Sequence, residues 1–226
     1  MLVPITAVLT AQEAQSIRTR LAGASWADGR VTAGYRSAEV KTNLQVPQSD
    51  AAATAASELI VRALERNATF VSATLPHHVY PPLFNRYEPG MGFGAHVDNA
   101  VRQIPGTPHR LRTDVSATLF LSAPEEYDGG ELVIEDLYGA HAVKLAAGDM
   151  IVYPASSLHR VEPVTRGVRD AAFFWIQSMV RDDGARALLY DMDLAIRELT
   201  AQAADPHSLL RLTSCYHNLI RRWADL

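Results

Sequence analysis

The chain has 226 residues, which is enough for one well-packed domain and too few for two full domains. Hydrophobic residues make up 48% and charged residues 20% of the sequence, as in an ordinary globular protein. The formal net charge of -4 argues against a protein that binds nucleic acid through its charge.

Two further features of the composition narrow the class of protein. The single cysteine, Cys215, excludes an internal disulfide and a cysteine-rich metal site, and it fits a reducing compartment. The N-terminal residues lack a basic segment and a cleavage site, and no apolar run approaches the length that spans a membrane. We therefore expect a cytoplasmic protein that has no membrane partner.

The first part of the chain carries two helix signals. Thr10 and Glu13 have the spacing of a capping box, which predicts a helix that begins at Thr10 and continues to about Leu21. An alanine-rich segment at residues 50–66 has apolar residues along one helical stripe and predicts a second helix. We expect residues 1–77 to form N-terminal helices and strands that support the core.

The middle of the chain has the character of a β structure. Eight short segments rich in β-branched and aromatic residues are separated by turn residues, which predicts strands at residues 70–74, 83–87, 115–121, 131–135, 142–145, 149–153, 158–161 and 168–180. Many short strands without intervening helices favour a sandwich or barrel. The predicted fold is mainly β with flanking helices, and its core at residues 78–180 is a double-stranded β-helix, the jelly-roll or cupin-like fold.

Three other segments have a predicted character of their own. Residues 99–113 contain Pro, Gly and Arg and predict a mobile loop, and residues 125–127 predict a solvated loop. Apolar residues recur at helical spacing in residues 186–199 and 208–223, so residues 181–226 are expected to be a C-terminal helical extension. Its leucines could form the interface of a symmetric homo-oligomer.

A candidate metal site begins at His96 and Asp98. Side chains on an extended chain alternate, so these two residues point the same way and can bind one ion together. His159, on a later predicted strand, would supply a third ligand. Two imidazoles and one carboxylate suit non-haem Fe(II), because they occupy one face of an octahedron and leave other positions open. A chance His-x-Asp pair and a surface histidine at His159 are the alternatives.

Arg169 stands at the start of a strongly apolar strand. Alternation places it on the same face as Phe173 and Trp175, where a guanidinium is costly unless an anion pairs with it. A bound dicarboxylate would provide that anion in the bidentate geometry that arginine favours. The alternative is an arginine at a solvated strand end beside Asp170.

The order of these motifs resembles that of a known family. Residues 85–90, His96 and Asp98, residues 129–132, residues 148–149, His159 and Arg169 follow one another as in the prolyl-4-hydroxylase-type Fe(II)/2-oxoglutarate-dependent dioxygenases. The sequence is most similar to the bacterial PKHD-type hydroxylases, and the resemblance covers roughly residues 78 to 180.

The resemblance implies a ligand set and a reaction. His96, Asp98 and His159 would bind iron, Arg169 would hold the distal carboxylate of 2-oxoglutarate, and Tyr87 matches a tyrosine that contacts this co-substrate. A core aromatic is the alternative role of Tyr87. Where related animal hydroxylases carry a second co-substrate tyrosine, this sequence has Phe120.

The implied function is the hydroxylation of an unactivated C–H bond, with dioxygen and 2-oxoglutarate consumed and succinate and CO2 released. Ascorbate is a candidate further cofactor, and the substrate is either a small molecule or a peptide. Two alternatives stay open at this point. The same ligands suit a jelly-roll zinc hydrolase, and the pocket also suits a non-catalytic module that binds iron or a 2-oxo acid.

Overall fold

The computed structural model describes residues 1–32 and 34–226. Five α-helices are present in these ranges: α1 (Ala11–Ala22), α2 (Ala51–Glu65), α3 (Ala68–Thr74), α4 (Asp183–Ala201) and α5 (Pro206–Trp223). The strands before the metal motif are β1 (Val3–Ile5), β2 (Ala27–Asp28), β3 (Lys41–Thr42), β4 (Leu44–Gln45), β5 (Pro76–Val79), β6 (Leu83–Tyr87) and β7 (Gly92–His96). Those after it are β8 (Val101–Gln103), β9 (Arg110–Arg112), β10 (Val115–Phe120), β11 (Tyr127–Gly129), β12 (Leu132–Asp136), β13 (Gly139–Val143), β14 (Met150–Pro154), β15 (His159–Val161), β16 (Val164–Gly167) and β17 (Arg169–Ser178).

Two antiparallel sheets build the core. The larger has the strand order β1-β14-β10-β17-β6-β4-β2, with β5 also paired to β17, and the smaller has the order β13-β12-β15-β7-β3. One face of the larger sheet packs on helices α1 and α2 through a large apolar cluster. Its other face packs on the smaller sheet through a second cluster that includes Phe120, Tyr153, Leu132 and Val161. This arrangement confirms the predicted jelly roll.

All four predicted helices are confirmed, since the bounds of α1, α2, α4 and α5 lie within three residues of the predicted bounds. The capping box of α1 is complete: the Thr10 hydroxyl accepts a 3.1 Å hydrogen bond from the Glu13 amide, and the Glu13 carboxylate accepts one of 2.8 Å from the Thr10 amide. The Asp50 carboxylate caps α2 by accepting a 2.8 Å hydrogen bond from the Ala52 amide. Local side-chain spacing is sufficient to specify these helix starts.

The predicted strand at residues 70–74 is wrong, because this segment is helix α3. The Asn67 carboxamide caps the helix by accepting a 2.9 Å hydrogen bond from the amide of Phe70. A short apolar run has no periodicity that separates a strand from a buried helix, and here burial of Phe70 against the larger sheet decides for the helix. The other seven predicted strands each overlap an observed strand.

The predicted loop at residues 99–113 contains regular structure. Strands β8 and β9 pair as an antiparallel hairpin in which Arg102 lies opposite Leu111. Leu111 is fully buried against Tyr80 and Trp175, so this apolar contact anchors the hairpin to the core. Within the described ranges, no helix is both long and apolar enough to cross a membrane.

Candidate metal centre and co-substrate pocket

The smaller sheet brings His96 and His159 together. Strands β7 and β15 are antiparallel neighbours in which these two residues are direct Cα partners, and their ring centroids lie 4.2 Å apart. Asp98 follows β7, and one potential ligand atom from each of the three residues lies within 4.8 Å of the others. The distance from His159 Nε2 to Asp98 Oδ2 is 3.8 Å, and two ligands that each lie about 2 Å from one ion can span this distance.

The backbone fixes the tautomer of both imidazoles. His96 Nδ1 lies 2.8 Å from the carbonyl oxygen of Gly94, and His159 Nδ1 lies 3.0 Å from that of Ser157. A carbonyl only accepts hydrogen bonds, so each Nδ1 carries the proton and donates it. The Nε2 lone pairs remain available to a metal ion, and the hydrogen bonds at Nδ1 hold the rings in place.

The surroundings of the cluster favour neutral histidine and a fixed carboxylate. Burial, together with the neighbouring His159, lowers the pKa of His96 from 6.5 to about 4. The ring of Phe93 stacks on His96 with 3.5 Å between centroids. The Ser116 hydroxyl donates a 2.6 Å hydrogen bond to Asp98 Oδ2. Neutral imidazoles and one ionised carboxylate are the donor set that suits a divalent iron ion, so these residues fit such an ion.

Arg169 is a buried cation that forms no ion pair with a carboxylate among the residues described by the structure. Its side chain is 1% exposed, and its Nε and Nη1 atoms have no hydrogen-bond partner among the described residues. The guanidinium carbon lies 5.3 Å from the ring centroids of Tyr87 and of Phe120. A buried charge of this kind is costly without an anion, so the arrangement fits the carboxylate of a bound 2-oxo acid.

Arg169 and its neighbour Asp170 face opposite sides of the larger sheet. Asp170 forms a bidentate ion pair with Arg86 at 2.8 and 2.9 Å on the helix side. The Asp170 carboxylate therefore pairs with Arg86 and not with Arg169. The alternative of an arginine at a solvated strand end beside Asp170 is wrong, because Arg169 is buried.

Two tyrosines lie against the Arg169 guanidinium. Tyr87 is fully buried, which raises the pKa of its hydroxyl, and its ring belongs both to the core and to the wall of the cavity. Tyr127 was expected in a solvated loop, and this expectation is wrong. Its side chain is fully buried, and its hydroxyl has no hydrogen-bond partner among the described residues. Tyr127 and Arg169 both pack against Gly130, where a Cβ atom would lie 3.0 Å from Arg169 and 3.1 Å from Tyr127.

One cavity joins these groups. It encloses roughly 690 Å³ including its open mouth, and it is lined by His96, Asp98 and His159 as well as by Arg169 and Tyr87. All five residues singled out from the sequence are thus brought to a single site. The cavity is formed between the two sheets, because the histidines come from the smaller sheet and Arg169 and Tyr87 from the larger.

Sequence reasoning missed several polar residues of this cavity. Lys41, Asn43 and Gln45 alternate along one extended segment and are each 5% exposed or less, and Lys41 and Gln45 line the cavity. This K-x-N-x-Q alternation is the signal that could have identified a polar inward face. Arg102 was placed in a mobile loop, whereas its guanidinium stacks on Trp175 at 3.6 Å from the ring centroid.

Comparison with known proteins identifies the family. The 2OG-Fe(II) oxygenase superfamily matches residues 82–177, and the PKHD-type hydroxylase C-terminal domain matches residues 183–225. A PKHD-type hydroxylase of Burkholderia ambifaria is 60% identical over 227 residues, and the alignment covers 100% of both chains. This chain belongs to the PKHD-type hydroxylases. The protein is therefore an Fe(II)- and 2-oxoglutarate-dependent hydroxylase, and the family membership decides against a zinc hydrolase or a non-catalytic module.

Two solved structures share the fold of this PKHD-type hydroxylase. A prolyl-4-hydroxylase of Pseudomonas putida has a TM-score of 0.52 at 20% identity, covering 78% of this chain and 92% of its own. The non-heme alpha ketoglutarate dependent carbocyclase SnoK from nogalamycin biosynthesis has a TM-score of 0.56 at 19% identity, covering 79% of this chain and 80% of its own. At these identities the likeness concerns the jelly-roll fold.

Proposed function

We propose that this PKHD-type hydroxylase binds Fe(II) through His96, Asp98 and His159 and binds the distal carboxylate of 2-oxoglutarate through Arg169. One observation carries the proposal: a buried guanidinium with two unpartnered nitrogen atoms lines the same cavity as the three converging ligand atoms. Tyr87 and Tyr127 flank the guanidinium and would complete the pocket for the co-substrate.

The bound iron and 2-oxoglutarate supply the oxidation of an unactivated C–H bond by dioxygen, with succinate and CO2 as by-products. The chain supplies position and environment for this chemistry. The Nε2 atoms of His96 and His159 are directed by their Nδ1 hydrogen bonds, and Ser116 orients the Asp98 carboxylate. Burial of Arg169 strengthens its attraction for a carboxylate, because the surroundings screen the charge less than water does.

The proposal is tested by metal and co-substrate binding together with turnover. Wild-type protein supplied with Fe(II) and air should release succinate from 2-oxoglutarate, and His96→Ala should abolish this release and the binding of Mn(II). Arg169→Gln should retain Mn(II) and raise the Kd for 2-oxoglutarate by at least about 100-fold, because a charge-assisted bidentate contact is lost.

The exposed Arg166 provides the matched control, since it pairs with Asp128 on the surface. Arg166→Gln should leave the Kd for 2-oxoglutarate unchanged. Equal co-substrate affinity in Arg169→Gln and Arg166→Gln would refute the role of Arg169, and Mn(II) binding by His96→Ala would refute the ligand assignment.

We further propose the division of the chain into supporting elements at 1–77, a catalytic core at 78–180 and a helical extension at 181–226. Strands β1, β2 and β3 support the first assignment, because they are edge strands of the two sheets. Packing of α4 and α5 on each other and on Leu75 and Val180 supports the third. Limited proteolysis should leave the catalytic core intact longest, and a first cut inside 115–178 would contradict the division.

Three finer properties stay predictions. Ascorbate should prolong succinate release in the absence of a prime substrate, and cell fractionation should recover the protein in the cytoplasm. Homo-oligomer formation would use the leucines of the helical extension. Of these, Leu188 and Leu210 are more than 60% exposed, whereas Leu189 is buried. Light scattering of wild type and of Leu188→Glu and Leu210→Glu tests the interface, and a monomeric wild type would refute it.

A further inference from the structure

The cavity contains two cations that the proposed iron and 2-oxoglutarate sites do not use. Lys41, on β3, is 5% exposed, and Arg102, on β8, has a buried Nε atom without a partner among the described residues. Both line the cavity that contains Asp98. The charge of Asp98 attracts both, but neither forms an ion pair with a carboxylate in the part of the chain that the structure describes.

The two cations converge on one residue. The Lys41 ammonium donates a 3.1 Å hydrogen bond to the Thr32 hydroxyl, and Arg102 Nη2 lies 3.4 Å from the Thr32 carbonyl oxygen. Burial, and after it repulsion by the charge of Arg102, lower the pKa of Lys41 from 10.5 to about 8. Two buried like charges side by side are costly unless an anion lies between or beside them.

Aromatic contacts hold these cations in place without neutralising them. Arg102 stacks on Trp175 at 3.6 Å, and the Lys41 ammonium lies 5.1 Å from the ring centroid of Phe93 and 5.8 Å from that of Phe173. Such contacts leave the full positive charge in the cavity. The Lys41 ammonium and the Arg102 guanidinium can therefore each donate further hydrogen bonds to a ligand.

The charged groups of the cavity leave an excess of positive charge. Asp98 is the only acidic residue among the described residues that line it. On the proposed function, Asp98 and 2-oxoglutarate contribute three negative charges, and Fe(II) with Arg169 contributes three positive charges. Lys41 and Arg102 are then left with two positive charges that no component of the site balances.

We propose that Lys41 and Arg102 form a second anion site that binds an oxyanion of the prime substrate, a carboxylate or a phosphate group. The inference rests on the proposed function, because it assigns Arg169 to 2-oxoglutarate. The site lies close to the chemistry, since Phe93 lies under the Lys41 ammonium and also stacks on His96. A substrate anchored there presents a C–H bond a short distance from its acidic group, so this hydroxylase acts on an acidic molecule.

The test uses the full-length, metal-free protein and two simple probes, inorganic phosphate and acetate, at constant ionic strength. Trp175 reports on occupancy because it stacks on Arg102. The chain has three tryptophans, so Trp175→Phe identifies the part of the fluorescence change that arises at the site. Saturable binding of either probe supports the proposal, and the tighter probe identifies the class of oxyanion.

Variants decide whether the signal comes from the proposed residues. Lys41→Met and Arg102→Gln should each raise the Kd for the bound probe at least about tenfold, because a charge-assisted hydrogen bond is lost. Arg110→Gln is the matched control, since Arg110 is exposed on the partner strand of the same hairpin. Arg102→Gln alters the fluorescence of Trp175 directly, because Arg102 stacks on this ring. The decisive comparison is therefore between the Kd of the wild type and that of Lys41→Met, whose folding is checked by thermal unfolding.

Two outcomes overturn the inference: no saturable binding of either anion to the wild type, or an unchanged Kd in Lys41→Met. If the Kd is unchanged in Lys41→Met but rises in Arg169→Gln, the probe occupies the co-substrate position. Failure of the proposed function is a separate result, since it appears as a lack of Mn(II)-dependent 2-oxoglutarate binding in the wild type and leaves the anion titration unaffected.

Discussion

The hydroxyl of Ser116 donates a 2.6 Å hydrogen bond to Oδ2 of Asp98 across the two sheets of the jelly roll. Ser116 lies on β10, in the middle of the larger sheet, whereas Asp98 follows a strand of the smaller one. A single side-chain contact thus joins the carboxylate of the candidate metal centre to a central strand of the larger sheet.

Ser116→Ala should weaken metal binding without removing a ligand. The Asp98 carboxylate would lose its fixed orientation, and loss of such an outer contact typically lowers metal affinity by about 10- to 100-fold. Mn(II) titration followed by electron paramagnetic resonance measures the change. Ser122→Ala removes another buried serine hydroxyl, one that bonds only backbone groups, and should leave the Mn(II) affinity unchanged. Equal affinities in the two variants would contradict the role of Ser116.

Gly130→Ala should weaken 2-oxoglutarate binding as well as stability. Gly130 has a φ of +68°, and a Cβ atom there would lie 3.0 Å from Arg169 Cδ, so alanine requires the arginine side chain to shift by a few tenths of an ångström. Gly90 provides the matched control, because its φ is +88° and a Cβ atom there meets nothing within 4 Å. Both variants should lose about 1 to 2 kcal/mol of unfolding free energy. Only Gly130→Ala should raise the Kd for 2-oxoglutarate; an equal rise in Gly90→Ala would refute the explanation.

Lys41→Met should stabilise the anion-free protein at pH 7. The folded pKa of Lys41 is lowered from 10.5 to about 8, mainly by burial and then by Arg102, while Asp98 and Asp28 partly oppose this. Folding therefore opposes the charged form, and the cost at pH 7 is at most about 3 kcal/mol.

The sign of the pH dependence follows from the lowered pKa. Between pH 8 and 10.5 the unfolded chain keeps the Lys41 proton that the folded protein releases, so wild-type stability gains relative to Lys41→Met as the pH rises. Urea unfolding of both proteins at several pH values measures this difference. A variant that is less stable than the wild type at pH 7 in the absence of anions would show that Lys41 is a structural residue.

Asp170→Asn should be strongly destabilising and should spare co-substrate binding. Asp170 is 4% exposed and neutralises Arg86, so its loss leaves a half-buried guanidinium uncompensated at a cost of about 3 kcal/mol. Asp128→Asn breaks the exposed pair with Arg166 and should leave the stability almost unchanged, because water screens this pair. Urea denaturation compares the two. A clear rise in the 2-oxoglutarate Kd of Asp170→Asn would contradict the separation of the two faces of β17.

The sequence alone determined the features that depend on local spacing. The capping box at Thr10 and the alternation of side chains along an extended chain act within a few residues. They therefore specified the helix start, the shared direction of His96 and Asp98, and the inward face that begins at Arg169. The order of the motifs was sufficient to indicate the family.

Only the tertiary structure decided which distant residues meet in the cavity. Lys41 reaches the cavity through the pairing of β3 with β7, and Arg102 through the packing of its hairpin on the core. Local periodicity contains no information about either contact. The same limit explains helix α3, where the packing of Phe70 against a sheet decides between two conformations that the short apolar run permits equally. The excess positive charge of Lys41 and Arg102 follows from the tertiary structure, because the fold brings both cations into a cavity whose described lining has one carboxylate, Asp98.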